Sequence, residues 1–199
     1  IMSSRNRGTV SNKDDYYVTP HWLISEFLDA VNPASPHAKT PLDLGNDILD
    51  PSAGGCDQYP MSYPAVLNTH GYFNVESWDI RMDSRASKKG HDFLSVKGKE
   101  QYDTVITNPP FSISEEFLNN ALTYVKPHGL IIMLQRVNWL GTQKRFEMWQ
   151  TMPLHSVFVH HKRPGFNPEK PSKTDSIEYA HFVFCKTAKE NLTPNLFVI

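Results

Sequence analysis

The run Tyr102-Asp103-Thr104-Val105-Ile106-Thr107, closed by Asn108-Pro109-Pro110-Phe111, constrains this chain more than any other stretch. Valine, isoleucine and threonine over six positions predict a buried strand, and two consecutive prolines stop it abruptly. The four residues after it therefore stand at the carboxyl edge of a sheet. In open α/β sheets that edge is where ligands bind.

Asn108 brings a carbonyl acceptor and an amide donor, and the prolines contribute carbonyls without N–H groups. Asn108 and Pro109 each precede a proline, which drives both towards extended conformations. The result is a stiff loop presenting acceptors to a planar amine, such as the exocyclic nitrogen of adenine. Two acceptors on its hydrogens would help localise a lone pair otherwise delocalised into the ring. Phe111 could stack on the ring face, worth about 1–3 kcal/mol per base. The alternative is that the same residues form only a rigid strand-to-helix turn.

Thr19 and Pro20 predict a helix start, with Thr19 as cap and Pro20 in the first position; Trp22, Leu23, Phe27 and Leu28 follow at helical spacing. Residues 32–47 read as a loop. Ile48-Leu49-Asp50-Pro51-Ser52-Ala53-Gly54-Gly55-Cys56 runs from a short strand into a small-residue turn of the kind that lets a ligand approach the backbone. The next helix is expected near Pro64. A second strand over Gly71 to Asp79 ends in an acid where α/β nucleotide folds bind a ribose hydroxyl, or where an aspartate simply caps. A third short strand is expected at His91-Asp92-Phe93-Leu94, with Asp92 placed to accept from an adenine amino group. Ser112 and Glu115 have capping-box spacing for a helix ending before Pro127. Strands at Gly129 to Gln135, Val157 to Val159 and Ala180 to Phe184, with a helix over Gly141 to Gln150, complete the pattern. Strands alternating with helices and closing in a hairpin imply a mostly parallel sheet with an antiparallel edge.

At 199 residues the chain fits one domain, expected over 15–199 behind a loose polar tail at 1–14. The net charge of −1 gives no global basic field to announce nucleic acid. Local clusters exist at Arg81 to His91 and at His160, His161, Lys162, Arg163, Lys170 and Lys173; each reads first as a solvated face, the second less strongly than the first. Adjacent His160 and His161 read as surface or loop residues. Cys56 and Cys185 form neither a disulfide framework nor a zinc spacing. With no membrane-length apolar segment and no signal core, a cytoplasmic protein is the expectation.

The order Tyr-x-Thr-Pro, Asp-Pro-x-x-Gly, acidic strand end, Asp-Phe and Asn-Pro-Pro-Phe resembles the S-adenosylmethionine-dependent adenine-N6 DNA methyltransferases, in particular the small phage-type, Dam-like enzymes of bacterial or phage-infected cells. The tail from Lys162 to Phe166 and from Lys173 to Ala180 is similar to that group's carboxyl-terminal signature. The resemblance spans residues 15–186. It implies a Rossmann-like class I methyltransferase, with a seven-stranded sheet in the order 3-2-1-4-5-7-6. It also implies roles for individual residues. Asp50, Pro51, Ser52, Ala53 and Gly54 would wrap the cofactor, Asp79 and Ile80 would meet its ribose side, and Asp92 with Phe93 its adenine. Tyr17, Thr19 and Pro20 would lie near its methionine end. Asn108 and Pro109, with Pro110 and Phe111 completing the motif, would grip the target amine. Phe111 and Phe166 would stack on the base, and Lys162, Arg163, Lys170 and Lys173 would bind the DNA backbone. No metal is implied.

Two departures stand out. The family often has Gly-x-Gly where this chain has Gly54-Gly55-Cys56. No separate target-recognition domain is expected after Phe111, so sequence reading would fall to loops such as 136–144 and 160–175, to a partner protein or to a second copy of the chain. Planar amines of ribosomal RNA and of protein glutamine are alternative substrates, and a catalytically inactive cofactor- or DNA-binding remnant is the non-enzyme alternative.

Overall fold

The structure is a computed structural model and describes residues 17–186 and 193–199; the expected tail at 1–14 lies outside them. Seven strands, β1 (Ile48–Asp50), β2 (Val75–Ser77), β3 (Tyr102–Thr107), β4 (Val125–Arg136), β5 (Leu154–Val159), β6 (Tyr179–Cys185) and β7 (Asn195–Val198), form one sheet. Its order is β2-β1-β3-β4-β6-β5-β7. β2, β1, β3 and β4 pair in parallel, β6 runs antiparallel to both β4 and β5, and β7 is parallel to β5.

The seven-stranded, mostly parallel architecture with its antiparallel hairpin is the one expected, and six strands take their expected neighbours. The seventh does not. Phe93–Ser95 is a 3-10 turn instead of a strand, because Asp92 caps it through the Leu94 N–H (2.9 Å) and Phe93 turns into the core. Beside β2 only a single bridge, Trp78 with Lys88, remains of a further strand. The seventh strand is β7, at the opposite edge.

Helices α1 (His21–Val31) and α2 (Ser62–Thr69) cover one face of the sheet; α3 (Ser114–Tyr124) and the short α4 (Phe146–Thr151) cover the other. On the first face Phe27 and Leu28 of α1 and Val66 and Leu67 of α2 pack on Ile48, Ile106, Ile132, Phe158 and Val183. On the second, Phe117, Leu118 and Ala121 of α3 meet Leu49, Val105, Ile131 and Met133. Alternate residues of one strand thus serve opposite layers, as the pleat requires. Helix starts differ from expectation. Pro20 occupies the cap position of α1 without a side-chain cap. α2 begins two residues before Pro64. A 3-10 turn at Phe111–Ile113 displaces the Ser112 cap, so α3 starts at Ser114.

His160, expected at the surface, is buried in a polar chain that ties α1 to α2 through β6. Its Nδ1 lies 2.8 Å from Glu26 Oε2, its Nε2 2.8 Å from His181 Nδ1, and His181 Nε2 is 2.9 Å from the Tyr63 hydroxyl. The Glu26 carboxylate can only accept, so His160 Nδ1–H donates to it; His181 Nδ1–H then donates to His160, and Tyr63 O–H to His181. Both imidazoles are neutral in this arrangement. Burial pushes the His160 pKa down against the pull of Glu26, and pushes that of His181 well below the usual range.

Candidate functional site

At the end of β3 the Asn108 amide Nδ2 donates to Thr19 Oγ1 at 3.0 Å, just before α1. Thr19, expected to cap the helix, is buried and holds Asn108 instead. This contact leaves Asn108 Oδ1 buried with no hydrogen-bond partner among the described residues. An orphaned buried acceptor costs about 1–3 kcal/mol unless a donor arrives. The backbone carbonyl of Asn108 accepts from Ser52 Oγ at 3.1 Å. Pro110, at φ −58° and ψ 121°, keeps the loop extended before Phe111 opens the 3-10 turn. Beneath the turn, Ser114 Oγ lies 3.2 Å from the Phe111 carbonyl and 2.9 Å from Gln135 Oε1.

An aromatic wall stands beside Asn108. Ring centroids are 6.4 Å apart for Tyr17 and Phe166, 5.0 Å for Phe166 and Tyr179, and 6.1 Å for Tyr179 and Phe111. Leu23 and Leu134 lie behind it, and the Arg136 guanidinium sits 5.2 Å from the Phe111 ring centre. The structure thus brings Tyr17, Thr19, Asn108, Phe111 and Phe166 together, although they come from three distant parts of the chain. Tyr179, the ring linking Phe111 to Phe166, has no assigned role in the sequence reading. Its hydroxyl donates to Asp175 Oδ2 at 2.8 Å, and burial followed by that bond pushes the phenol pKa up.

The adjacent loop begins at Asp50, 1% exposed. Asp50 Oδ1 accepts from Thr107 Oγ1 at 2.7 Å and from the Ser52 N–H at 3.2 Å, whereas Oδ2 is buried without a partner among the described residues. Burial raises its carboxyl pKa to about 7, against the lowering effect of the Thr107 and Ser52 bonds; the Asp79 charge adds to the rise. Pro51 and Ala53 are buried, with the Ala53 N–H on the Trp78 carbonyl at 2.9 Å. Gly54 and Gly55 have φ of 66° and 74°. A Cβ on Gly55 would stand 2.8 Å from Met61 Cγ. Positive φ is therefore demanded at residues 54 and 55, and Cys56 has no such requirement. The departure from Gly-x-Gly carries no conformational penalty.

Asp79 is buried, its Oδ2 accepting from the Gly54 N–H at 2.7 Å and its Oδ1 from the Arg81 N–H at 2.8 Å. Each oxygen keeps a further lone pair for a hydroxyl donor. Ser84, also buried and absent from the sequence reading, donates to the Gly54 carbonyl. Ile80 is exposed beyond Asp79, and Asp92 is exposed. Phe93 is 2% exposed and packs among Trp78, Phe117 and Tyr124, so its ring belongs to the core and not to a ligand-facing wall.

In the basic loop, Lys162, Lys170 and Lys173 are exposed. Arg163 differs: its Nε and Nη2 lie 3.2 and 2.6 Å from Glu178 Oε1, so its charge is already paired.

No family model and no curated protein sequence matches the chain. Solved structures do match in fold. One, assigned as a class I S-adenosylmethionine-dependent methyltransferase from Listeria monocytogenes, has TM-score 0.56 and 13% identity over 96% of this chain and 68% of its own. The type I restriction-modification methyltransferase subunit from Streptococcus thermophilus has TM-score 0.56 and 13% identity over 92% of this chain. The chain spans 47% of that subunit. A third, assigned as a hemolysin from Lactococcus lactis, has TM-score 0.59 and 12% identity over 90% of this chain and 93% of its own. The fold is the Rossmann-like class I methyltransferase fold.

Proposed function

We propose that this protein transfers a methyl group from S-adenosylmethionine to the N6 amino nitrogen of adenine in DNA. The observation that carries the reading is Asn108 Oδ1, a buried acceptor with no partner, fixed by Thr19 at the carboxyl end of β3 beside the aromatic wall. Methyltransferase subunits of restriction-modification systems among the fold neighbours support it.

The residues around Asp50 fit the cofactor: an unpartnered buried carboxyl oxygen suits a cationic group, two positive-φ glycines keep the loop backbone open, and Asp79 retains lone pairs for hydroxyls. When bound there, the cofactor supplies an electrophilic methyl group on a sulfonium. The chain's own residues do the rest. Asn108 Oδ1 and the Pro109 carbonyl accept the two hydrogens of the amine, which localises its lone pair and orients it for in-line attack. Phe111 and Phe166 hold the base by its face. The target base leaves the duplex stack at a cost of a few kcal/mol, or is supplied single-stranded. Lys162, Lys170 and Lys173 hold phosphates, and target selection falls to the loops at 136–144 and 160–175 or to a specificity-providing partner.

Incubation with methyl-labelled cofactor and DNA, RNA or protein, followed by identification of the methylated atom, tests the proposal. N6-methyladenine in DNA is the expected product. Label on glutamine amides or only on RNA would overturn the substrate, and no transfer to any of the three would overturn the enzyme.

A further inference from the structure

We infer that Ser52 and Thr107 are positioning residues of the proposed reaction, their two hydroxyls forming a relay that transmits the state of the Asp50 carboxyl to the Asn108–Pro109 peptide. The inference rests on the function proposed above and names how the cofactor loop and the amine grip communicate.

β1 and β3 are neighbours, with Leu49 opposite Val105, so the residues following each strand meet. Three contacts run in line. Asp50 Oδ1 to Thr107 Oγ1 is 2.7 Å, Thr107 Oγ1 to Ser52 Oγ is 2.6 Å, and Ser52 Oγ to the Asn108 carbonyl is 3.1 Å. Each hydroxyl carries one hydrogen, so the two side chains cannot fill all three contacts. With Asp50 ionised, Thr107 must donate to the carboxylate. Its oxygen then accepts from Ser52, since oxygens at 2.6 Å without a hydrogen between them repel. The Asn108 carbonyl is left without that donor. With Asp50 protonated on Oδ1, a third hydrogen enters. Asp50 donates to Thr107, Thr107 to Ser52, and Ser52 to the Asn108 carbonyl.

The balance between the two states lies near neutral pH, where burial and the neighbouring Asp79 charge oppose the bonds from Thr107 and the Ser52 N–H. Among the described residues, the buried phenol of Tyr63 on α2 also faces Asp50. A cation placed against the unpartnered Oδ2 favours the ionised state and so turns the Ser52 hydroxyl away from Asn108. The affected peptide leads directly to Pro109, whose carbonyl is one of the two acceptors assigned to the amine. Loading of the loop thereby resets the amine grip. Sequence places Ser52 in the cofactor loop but gives no sign of its contact with Thr107, because the two hydroxyls meet across 55 positions of chain.

The test uses the protein without ligands. Carbon-13 NMR follows the Asp50 carboxyl and the Asn108 backbone carbonyl from about pH 5.5 to about pH 8.5. Both signals are expected to move with one shared midpoint near the value of about 7 given by burial. Thr107→Val removes a donor to the charged form, so the Asp50 midpoint should rise while Asn108 becomes insensitive to pH. Ser52→Ala should leave Asp50 titrating and Asn108 flat, and Thr107→Ser should restore the wild-type pattern. Overlaid amide spectra establish that each variant is folded. An Asn108 carbonyl unmoved through the Asp50 transition in the wild type overturns the relay. So does one that still follows Asp50 in both hydroxyl-deleted variants, and so does an Asp50 that fails to titrate in this range. Methyl transfer by the same samples separates the two proposals. Coupled titration without adenine methylation defeats the function and leaves the relay, whereas methylation without coupling does the reverse.

Discussion

Cofactor affinity should depend on pH through Asp50. The apo carboxyl is pushed to about 7 by burial, and its Oδ2 has no partner. If the sulfonium and amino groups of S-adenosylmethionine stabilise the ionised form, the proton must leave on binding. Affinity then scales with the ionised fraction of the free protein. That fraction is about nine-tenths at pH 8, one half at pH 7 and about one-eleventh at pH 6, all for a midpoint near 7. The expected loss between pH 8 and pH 6 is therefore about tenfold, or about 1.4 kcal/mol. Calorimetry in buffers of different ionisation enthalpy should also register about half a proton released per site at pH 7. Asp50→Asn should bind more weakly at pH 8 yet show no such fall on acidification. The cofactor's own amino group titrates equally in both proteins, so the difference isolates Asp50. An affinity that is flat or rises on acidification in the wild type, or an equal slope in Asp50→Asn, would refute the assignment.

Thr19→Val removes the hydroxyl that orients Asn108; turnover at saturating cofactor should fall by about 2–13-fold, matching a single hydrogen bond of about 0.5–1.5 kcal/mol. In a DNA-binding salt series, alanine at Lys162, Lys170 or Lys173 should each lower the slope by about one unit, and Arg163→Ala by clearly less because Glu178 already pairs it. Thermal stability should fall as pH drops below about 6.5. His160 and His181 have folded pKa values beneath their unfolded one, so the unfolded chain takes up protons first; Asp50, raised on folding, acts with opposite sign from pH 7 downwards, and an Asp50→Asn background separates the two in thermal melts.

Much of the fold was legible because periodicity reports burial. The run from Tyr102 to Thr107 could only be a buried strand, and the prolines after it fixed where the sheet edge falls. The positions of Asn108, Phe111 and the turn at Asp50 to Gly54 are legible for the same reason: each is placed by a strand end. What escaped depends on which side chains meet across the chain. The Thr19 bond to Asn108 spans 89 positions, and nothing local distinguishes that threonine from a cap. His91 to Leu94 reads as a short strand with Phe93 beside Asp92 at the cofactor, but the Asp92-capped turn rotates Phe93 into the core. Paired histidines read as surface because one polar residue gives no sign of a buried partner; His160 can be buried because Glu26 and His181 complete its bonds, and Tyr63 completes those of His181.

The central claim is that Asn108 acts on the amine and not on the cofactor. Single-turnover methyl transfer to an adenine-containing oligonucleotide, measured beside calorimetric cofactor binding for the wild type and Asn108→Ala, tests it most directly. The account predicts transfer abolished in Asn108→Ala with the cofactor dissociation constant nearly unchanged, as for an interaction made chiefly in the transition state. Near-wild-type transfer by Asn108→Ala, or a loss fully explained by weaker cofactor binding, would contradict it.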